Sequence, residues 1–507
     1  MTDSRTKNSF RNITASVVYQ ILNLVLSFIS RSVFIQVLGV GYLGINGLFN
    51  DVLSMLNLAE LGFGTAMTYS MYKPLAEKDY DTLAGLTQFY KKIYRIIAMT
   101  IAVIGVLLIP FLPYLINLEQ DIAHIELYYI LFLASNIASY FVTYKTTILY
   151  ADQKNYILIK YTSYWGIAQT IILTLILMLT HNYVLYLALQ VAFVYGANFH
   201  KSYVAEKYYP YINKKVKLPK ERTNSIFKDV GSAFLYKIAN VLISATDNTL
   251  ISILVSTEMV GYYSNYNIIV GKITGIVGTI FSSLIASLGN LIAKESNERR
   301  YQVFQVMQSI SLILSTFCVT CLLLLEEDFI RVWLGEDYVL GKFALVVIVF
   351  NFYFSIITRP VSTFREAAGL FRKTKFIALG KAAINILLSI ILGKVIALPG
   401  ILLATSFSDL VTNFWYEPVL LYKNYFNKPL RFYFAELLKN VGITGVVIFG
   451  GYITSSWLIP QNWLELIFKG VIVAFTSMIL TFGFYRKSEG VRVLFDRIAI
   501  GLRRFMK

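Results

Sequence analysis

The sequence predicts an all-α polytopic membrane protein of about fourteen transmembrane helices, and three observations carry that prediction. The 507 residues are 56% hydrophobic, with a mean hydropathy of +0.61. Apolar runs of about 20 residues, the length that crosses the hydrocarbon core as a helix, recur along the whole chain. The connections between them are short and alternate between basic and non-basic. A soluble chain of this length would divide into several domains joined by polar linkers. The runs are too long and too continuously apolar for barrel strands, which alternate.

The spans are expected at 13–37, 42–72, 90–116, 123–149, 157–180, 183–204, 226–256, 260–292, 304–325, 342–366, 376–397, 399–422, 440–459 and 464–485. Several exceed the minimum, so tilt or kinking is expected. The first two flank Gly39-Val40-Gly41-Tyr42-Leu43-Gly44. This formally matches the Gly-x-Gly-x-x-Gly dinucleotide fingerprint, but that mechanism needs a strand before it and a helix after it in a βαβ unit. Between two membrane spans the glycines serve a sharp turn and close packing.

Basic residues orient the spans. The formal net charge is +17, and 38 of the 46 Lys and Arg fall in the two termini or in connections on one side. Representative groups are Arg5, Lys7 and Arg11; Lys91, Lys92 and Arg95; Arg365, Lys373 and Lys381; and Arg486 to Lys507. The opposite connections hold Arg331, Lys342, Lys394 and Lys469 beside Glu326, Glu327 and Asp328. By the positive-inside rule both termini are cytoplasmic, and charge so partitioned argues against a nucleic-acid partner. No cleavable signal peptide is expected, because the first apolar segment is long enough to span.

An internal echo suggests a repeat. Val40-Gly41-Tyr42 returns as Val260-Gly261-Tyr262, and Tyr156-Ile157 as Phe376-Ile377, both at an offset of 220. Six spans per half give parallel repeats with a site expected near midplane, where the halves face each other. The expected divisions are a first lobe (1–204), a basic cytoplasmic linker (205–225), a second lobe (226–422), two further spans (440–485) and a basic tail (486–507). In the tail, Val491, Leu494, Phe495, Ile498, Leu502 and Phe505 share one helical face and arginines surround the other. That pattern suits a helix lying on anionic lipid, against the plainer reading of a solvated tail.

Four cations fall inside spans: Arg31, Lys237, Lys272 and Arg359. The acids there are Asp51, Asp247 and Asp409, with Glu60 as a further one. Charge within lipid is costly and normally faces a cavity or a partner. At about 1.5 Å rise per residue, Arg31 and Asp51 lie at similar depth, so an ion pair is expected, as packing or as part of a site. Pro360, following Arg359, should kink its span and free backbone carbonyls toward a cavity. A slight cationic excess suits an anionic ligand, with phosphate the usual partner of Lys and Arg. For any single residue, snorkelling or a local pair is an equal alternative. His124, His181 and His200 lack metal spacing, and Cys318 and Cys321 are expected as free intramembrane thiols. No catalytic constellation, metal site or cofactor motif is present, and no connection is large enough for a transferase domain, so an enzyme is not expected.

Gly39-Val40-Gly41-Tyr42-Leu43-Gly44 with Glu60-Leu61-Gly62-Phe63-Gly64, and Asp247-Asn248-Thr249-Leu250-Ile251-Ser252 with Val260-Gly261-Tyr262-Tyr263-Ser264-Asn265-Tyr266, resemble the polysaccharide-transporter branch of the multidrug/oligosaccharidyl-lipid/polysaccharide (MOP) exporter superfamily, the Wzx-type flippases. The resemblance covers essentially the whole chain. It implies two six-helix lobes around a central cavity plus two C-terminal helices, which in the related lipid II flippase form a groove for the lipid tail. It further implies a bacterial cytoplasmic-membrane protein that flips undecaprenyl-pyrophosphate-linked oligosaccharide for capsule, O-antigen or exopolysaccharide assembly, with the polysaccharide polymerase machinery as a further partner. Arg31, Lys237, Lys272 and Arg359 would then hold the pyrophosphate, with Asp51, Asp247, Asp409 and Glu60 as ion-coupling groups or charge partners. A drug or cation antiporter of the multidrug branch is the alternative, and an embedded sugar transferase a third reading.

Overall fold

The computed structural model describes residues 24–57, 63–119, 122–152, 154–219, 223, 226, 238, 241–243, 245–488 and 490–492. Glu60, Lys237, the N-terminal Arg5, Lys7 and Arg11, the start of the first expected span and the tail beyond 492 lie outside the described residues. Regular structure among the described residues is helical throughout, with no strand. Eight helices are long and apolar enough to cross a membrane, or ten if each of two bent pairs is one span. The all-α polytopic class is thus as expected. The chain divides into two compact units, Met1–Gly261 and Tyr262–Lys507, with the boundary one turn into the helix Thr257–Ser283.

In the first unit, α1 (Leu24–Leu38) and α2 (Val40–Leu56) meet in a 118° bend at Gly39. Its φ of 89° lies where a side chain is strained, which is why glycine stands there. Then follow α3 (Phe63–Glu77), α4 (Tyr80–Leu108), α5 (Ile125–Ile137), α6 (Thr143–Ala151), α7 (Asn155–Thr180), α8 (Tyr183–Tyr208) and α9 (Asp247–Leu254). Local sequence sets the starts: the Asp79 side chain accepts from Thr82 N–H at 2.9 Å and Asn182 from Leu185 N–H at 3.0 Å, each satisfying a donor the helix leaves unpaired. Phe49 of α2 packs edge-on to Tyr129 and Phe132 of α5 in the core.

The last turn of the first unit docks on α2 through glycine. A Cβ on Gly44 would collide with the carbonyl of Thr257, and one on Gly261 would come within 2.7 Å of the Val40 side chain. The two copies of the Val-Gly-Tyr echo therefore pack against each other. Hydrogen bonds tie the same region to the connection after α4: Thr257 N–H donates to Asn117 O at 2.7 Å, Asn117 N–H to Thr257 Oγ1 at 2.9 Å, and Ser252 Oγ to Leu115 O at 2.7 Å.

The second unit comprises the rest of α10 (Thr257–Ser283), then α11 (Ile285–Lys294), α12 (Asn297–Leu334), α13 (Lys342–Ile357), α14 (Arg359–Ala367), α15 (Phe371–Leu410), α16 (Asn413–Leu421), α17 (Arg431–Ser455) and α18 (Trp463–Tyr485). Within α15 the chain leaves helical geometry at Ile396 and Ala397, the latter at φ 51°, ψ −136°. Pro399 there cannot donate to the preceding turn. This break falls between the spans expected at 376–397 and 399–422. Cys318 and Cys321 of α12 are free thiols.

A buried polar hub binds α12, α13, α17 and α18. Asn440, fully buried in α17, accepts from Tyr353 Oη at 2.6 Å and donates from Nδ2 to Thr316 Oγ1 at 2.9 Å and Tyr485 Oη at 2.7 Å. Thr316 and Thr444 hydroxyls also share a hydrogen bond at 2.9 Å. Between helices in lipid, where hydrophobic burial gives little driving force, such bonds and close packing carry association.

Candidate functional site

The kink at Pro360 forms, but its freed carbonyl does not face a cavity. Proline lacks the N–H that would bond the carbonyl four residues earlier, at Ile356. The helix breaks between α13 and α14, and buried Ser311 of α12 donates its hydroxyl to Ile356 O at 2.5 Å. A neighbouring helix thus satisfies the orphaned acceptor, as lipid demands.

The expected Arg31–Asp51 ion pair is absent among the described residues. Arg31 lies about eight residues before the turn and Asp51 about twelve after it, roughly 12 and 18 Å along their axes. The 118° bend leaves the arms about 60° apart, which separates the two axis positions by roughly 16 Å. Asp51 instead accepts from the backbone N–H of Asn248 at 3.3 Å, and its carboxylate lies within electrostatic reach of Asp247. Asp247 Oδ1 is buried without a hydrogen-bond partner. Two carboxylates within electrostatic reach of each other disfavour one another's charge. Nothing in the sequence marks this pairing, since the two residues are 196 positions apart.

A different face of α2, roughly opposite Asp51 on the helical wheel, is polar and aromatic. Tyr183 Oη donates to Asn46 Oδ1 at 2.7 Å, and Tyr140 Oη to Asn57 Oδ1 at 2.8 Å. The rings of Tyr42 and Tyr128 pack against Tyr183 with centroids 4.9 and 4.7 Å away. Half-buried Arg31 stands on α1.

In the second unit, Asp409 forms an ion pair with Lys381 at 2.9 Å within α15. Arg365 Nε pairs with Glu417 at 3.0 Å, and its Nη2 reaches Glu366 at 3.4 Å. Lys469 Nζ donates to Asp328 at 2.6 Å, and Lys145 pairs with Glu206 in the first unit. Sequence reasoning assigned Lys381, Arg365, Lys145 and Lys469 to connecting loops, whereas the structure buries all four largely or wholly beside acids. All four lie within helices and inside the expected span limits, so basic character there did not mark connecting loop. Breaking one member of such a pair would leave an uncompensated buried charge, so their first role is structural. Lys272 of α10 and Arg359, the first residue of α14, are half-buried, and Arg359 Nε has no hydrogen-bond partner. With Asp409 committed to Lys381, it is not their counter-charge.

Among the described residues no cluster of His, Cys, Asp and Glu could hold a metal ion. Half-buried cations and two neighbouring carboxylates thus stand on helices of a polytopic helical protein. No family model matches the sequence, and no curated protein does.

Solved structures do match, at the level of the fold. The lipid II flippase MurJ in an inward-closed conformation aligns with a TM-score of 0.69 at 16% identity, over 94% of this chain and 99% of that one. An inward-facing multidrug resistance MATE family transporter of the MOP superfamily aligns at 0.59 and 13% identity, over 76% of this chain and 91% of its own. A second MATE structure, in complex with MaD3S, aligns at 0.57 and 12%, over 82% and 95%. The chain therefore has the fold of MOP-superfamily transporters.

Proposed function

We propose that the protein is a flippase that moves polyprenyl-pyrophosphate-linked oligosaccharide from the inner to the outer leaflet of a bacterial cytoplasmic membrane, for surface polysaccharide assembly. One observation favours this over a drug antiporter: the two MATE structures leave about a fifth of this chain unmatched, whereas the lipid II flippase spans nearly all of it. We assign the additional length to the two helices after the second lobe, α17 and α18, which would guide the lipid tail. In this reading the lobes are 1–204 and 226–422, joined by 205–225, with both termini cytoplasmic. Arg31, Lys237, Lys272 and Arg359 would neutralise the pyrophosphate. Rocking of the lobes then exposes the headgroup to each side in turn while the lipid tail stays in the bilayer.

The Asp51–Asp247 pair is the coupling site for a proton or small cation, and Asp409 and Lys381 form a fixed ion pair. Tyrosine, asparagine and serine side chains of the spans would hydrogen-bond the glycan, and the polymerising machinery would receive it outside.

The test is deletion of the gene followed by analysis of lipid-linked intermediates, with complementation by Arg31→Ala, Lys272→Ala. The deletion should accumulate the lipid-linked repeat unit on the inner leaflet, and the double variant should reach the membrane without restoring export. Normal export by the double variant refutes the cationic site. Drug sensitivity without lipid-linked accumulation would instead favour the antiporter.

A further inference from the structure

A second candidate anion-binding site stands on the first unit, midway along α4 where its long apolar stretch begins. Lys91, Lys92 and Arg95 line a concavity of about 360 Å³ with Gln88, Ile96 and Met99. Lys145 and Lys215 are within electrostatic reach of Lys91, and so is one carboxylate, Glu206. Glu206 is already bound to Lys145. Lys91, Lys92 and Arg95 themselves have no ion-pair partner among the described residues, although Lys154 and Lys214 of the same unit each find an aspartate. Lys91 and Lys145 both lie over the ring of Tyr144, at 6.0 and 5.7 Å from its centroid, which holds the two charges in place.

The apolar surface continues from this cluster. Ile96, Met99, Val103 and Leu107 follow one another at helical spacing down α4, and all are exposed. Lys92 is four residues before Ile96 and Arg95 four before Met99, so the charges cap the same face. A solvated basic loop would show neither the concavity nor an apolar strip aligned beneath it. A basic hollow at the membrane surface, with an apolar strip below, matches a molecule with a phosphate head and acyl chains.

We propose that this hollow is a binding site for an anionic phospholipid of the leaflet on the basic side, with its phosphate held by Lys91, Lys92 and Arg95 and its acyl chains along Ile96, Met99 and Val103. The site does not depend on the flippase reading, because it needs only that α4 crosses the membrane. Bulk bilayer lipid is the favoured occupant because the strip opens outward along its whole length.

The test uses the full-length protein in nanodiscs of phosphatidylcholine with 20 mol%, on the order of a natural anionic fraction, of phosphatidylglycerol, with retained lipid read by native mass spectrometry. Wild type should retain phosphatidylglycerol selectively. A Lys91→Gln, Lys92→Gln, Arg95→Gln variant should lose that preference by about 100-fold, since each surface cation contributes about fivefold. A control variant with the same charge loss elsewhere, Lys294→Gln, Arg299→Gln, Lys423→Gln, should retain it. Equal loss in both variants would reduce the effect to bulk charge and overturn the site. An Ile96→Ser, Met99→Ser variant should lose long-chain but keep dioctanoyl phosphatidylglycerol, and unchanged long-chain retention overturns the strip. Displacement of phosphatidylglycerol by equimolar geranylgeranyl pyrophosphate would reassign the hollow to an isoprenoid lipid, and displacement by inorganic pyrophosphate would reassign it to a free anion; either overturns the phospholipid assignment.

Discussion

Replacing Asn440 by leucine should destabilise the second unit more than any single hydroxyl loss at the same hub. The side chain is fully buried and makes three short hydrogen bonds, to Tyr353, Thr316 and Tyr485, on three other helices. Interhelical hydrogen bonds in membranes average about 0.6 kcal/mol each, with a maximum near 1.7. Three of them therefore give about 2 kcal/mol, and the stranded Tyr353 hydroxyl adds up to another 1 kcal/mol as a buried donor without an acceptor. Leucine is close in size to asparagine, so little of the loss is cavity. For a unit of this size a loss of 2–3 kcal/mol lowers the melting temperature by roughly 5–10 °C. The assay is thermal unfolding of purified protein in detergent, followed by tryptophan fluorescence. Thr444→Val, which removes one hydroxyl partner of Thr316 and leaves Asn440 in place, should shift the melt by about 1–2 °C. An Asn440→Leu melt within 2 °C of wild type, or equal to that of Thr444→Val, would refute the hub.

Three other outcomes follow from the described packing. Ser311→Ala should cost about 1–2 kcal/mol by orphaning Ile356 O, and adding Pro360→Ala should restore most of it, because alanine supplies the missing N–H; a double variant no better than the single one contradicts the account of the break. Lys381→Met should cost about 3 kcal/mol by leaving Asp409 unpaired, whereas Lys381→Met with Asp409→Leu should recover most of the loss in a thermal melt; additive effects would show that the pair does not interact. Gly44→Ala should lower membrane yield and cost at least about 2 kcal/mol, because the added methyl meets backbone and not a yielding side chain; a wild-type melt would show that the contact relaxes.

Class and element order were legible because membrane helices write themselves in long apolar runs, and the turns at Gly39 and before Pro399 were legible from their residues. What failed was the sorting of charge. Lys381 and Arg365 looked like loop cations because each sits near a polar stretch, yet both face acids inside the helical packing. Asp328 looked like a loop acid, and Glu417 was not singled out, for the same reason. Arg31 and Asp51 were matched by depth, which is one coordinate of three, and the 118° turn separated them in the other two. The Asp51–Asp247 proximity and the Ser311 cap are long-range events. A single sequence carries no signal for them.

The reciprocal seating of Gly44 beneath Thr257 and of Gly261 against Val40 has a consequence for how such a chain can change over time. Each half of an internal duplication is usually free to drift once it has its own neighbours. Here a methyl gained on either side must be answered by retreat on the other, so these few positions mutate as a couple while the remainder of the halves diverge singly. Val40 and Gly261, which belong to the two short echoes at a spacing of 220, are among the positions so coupled.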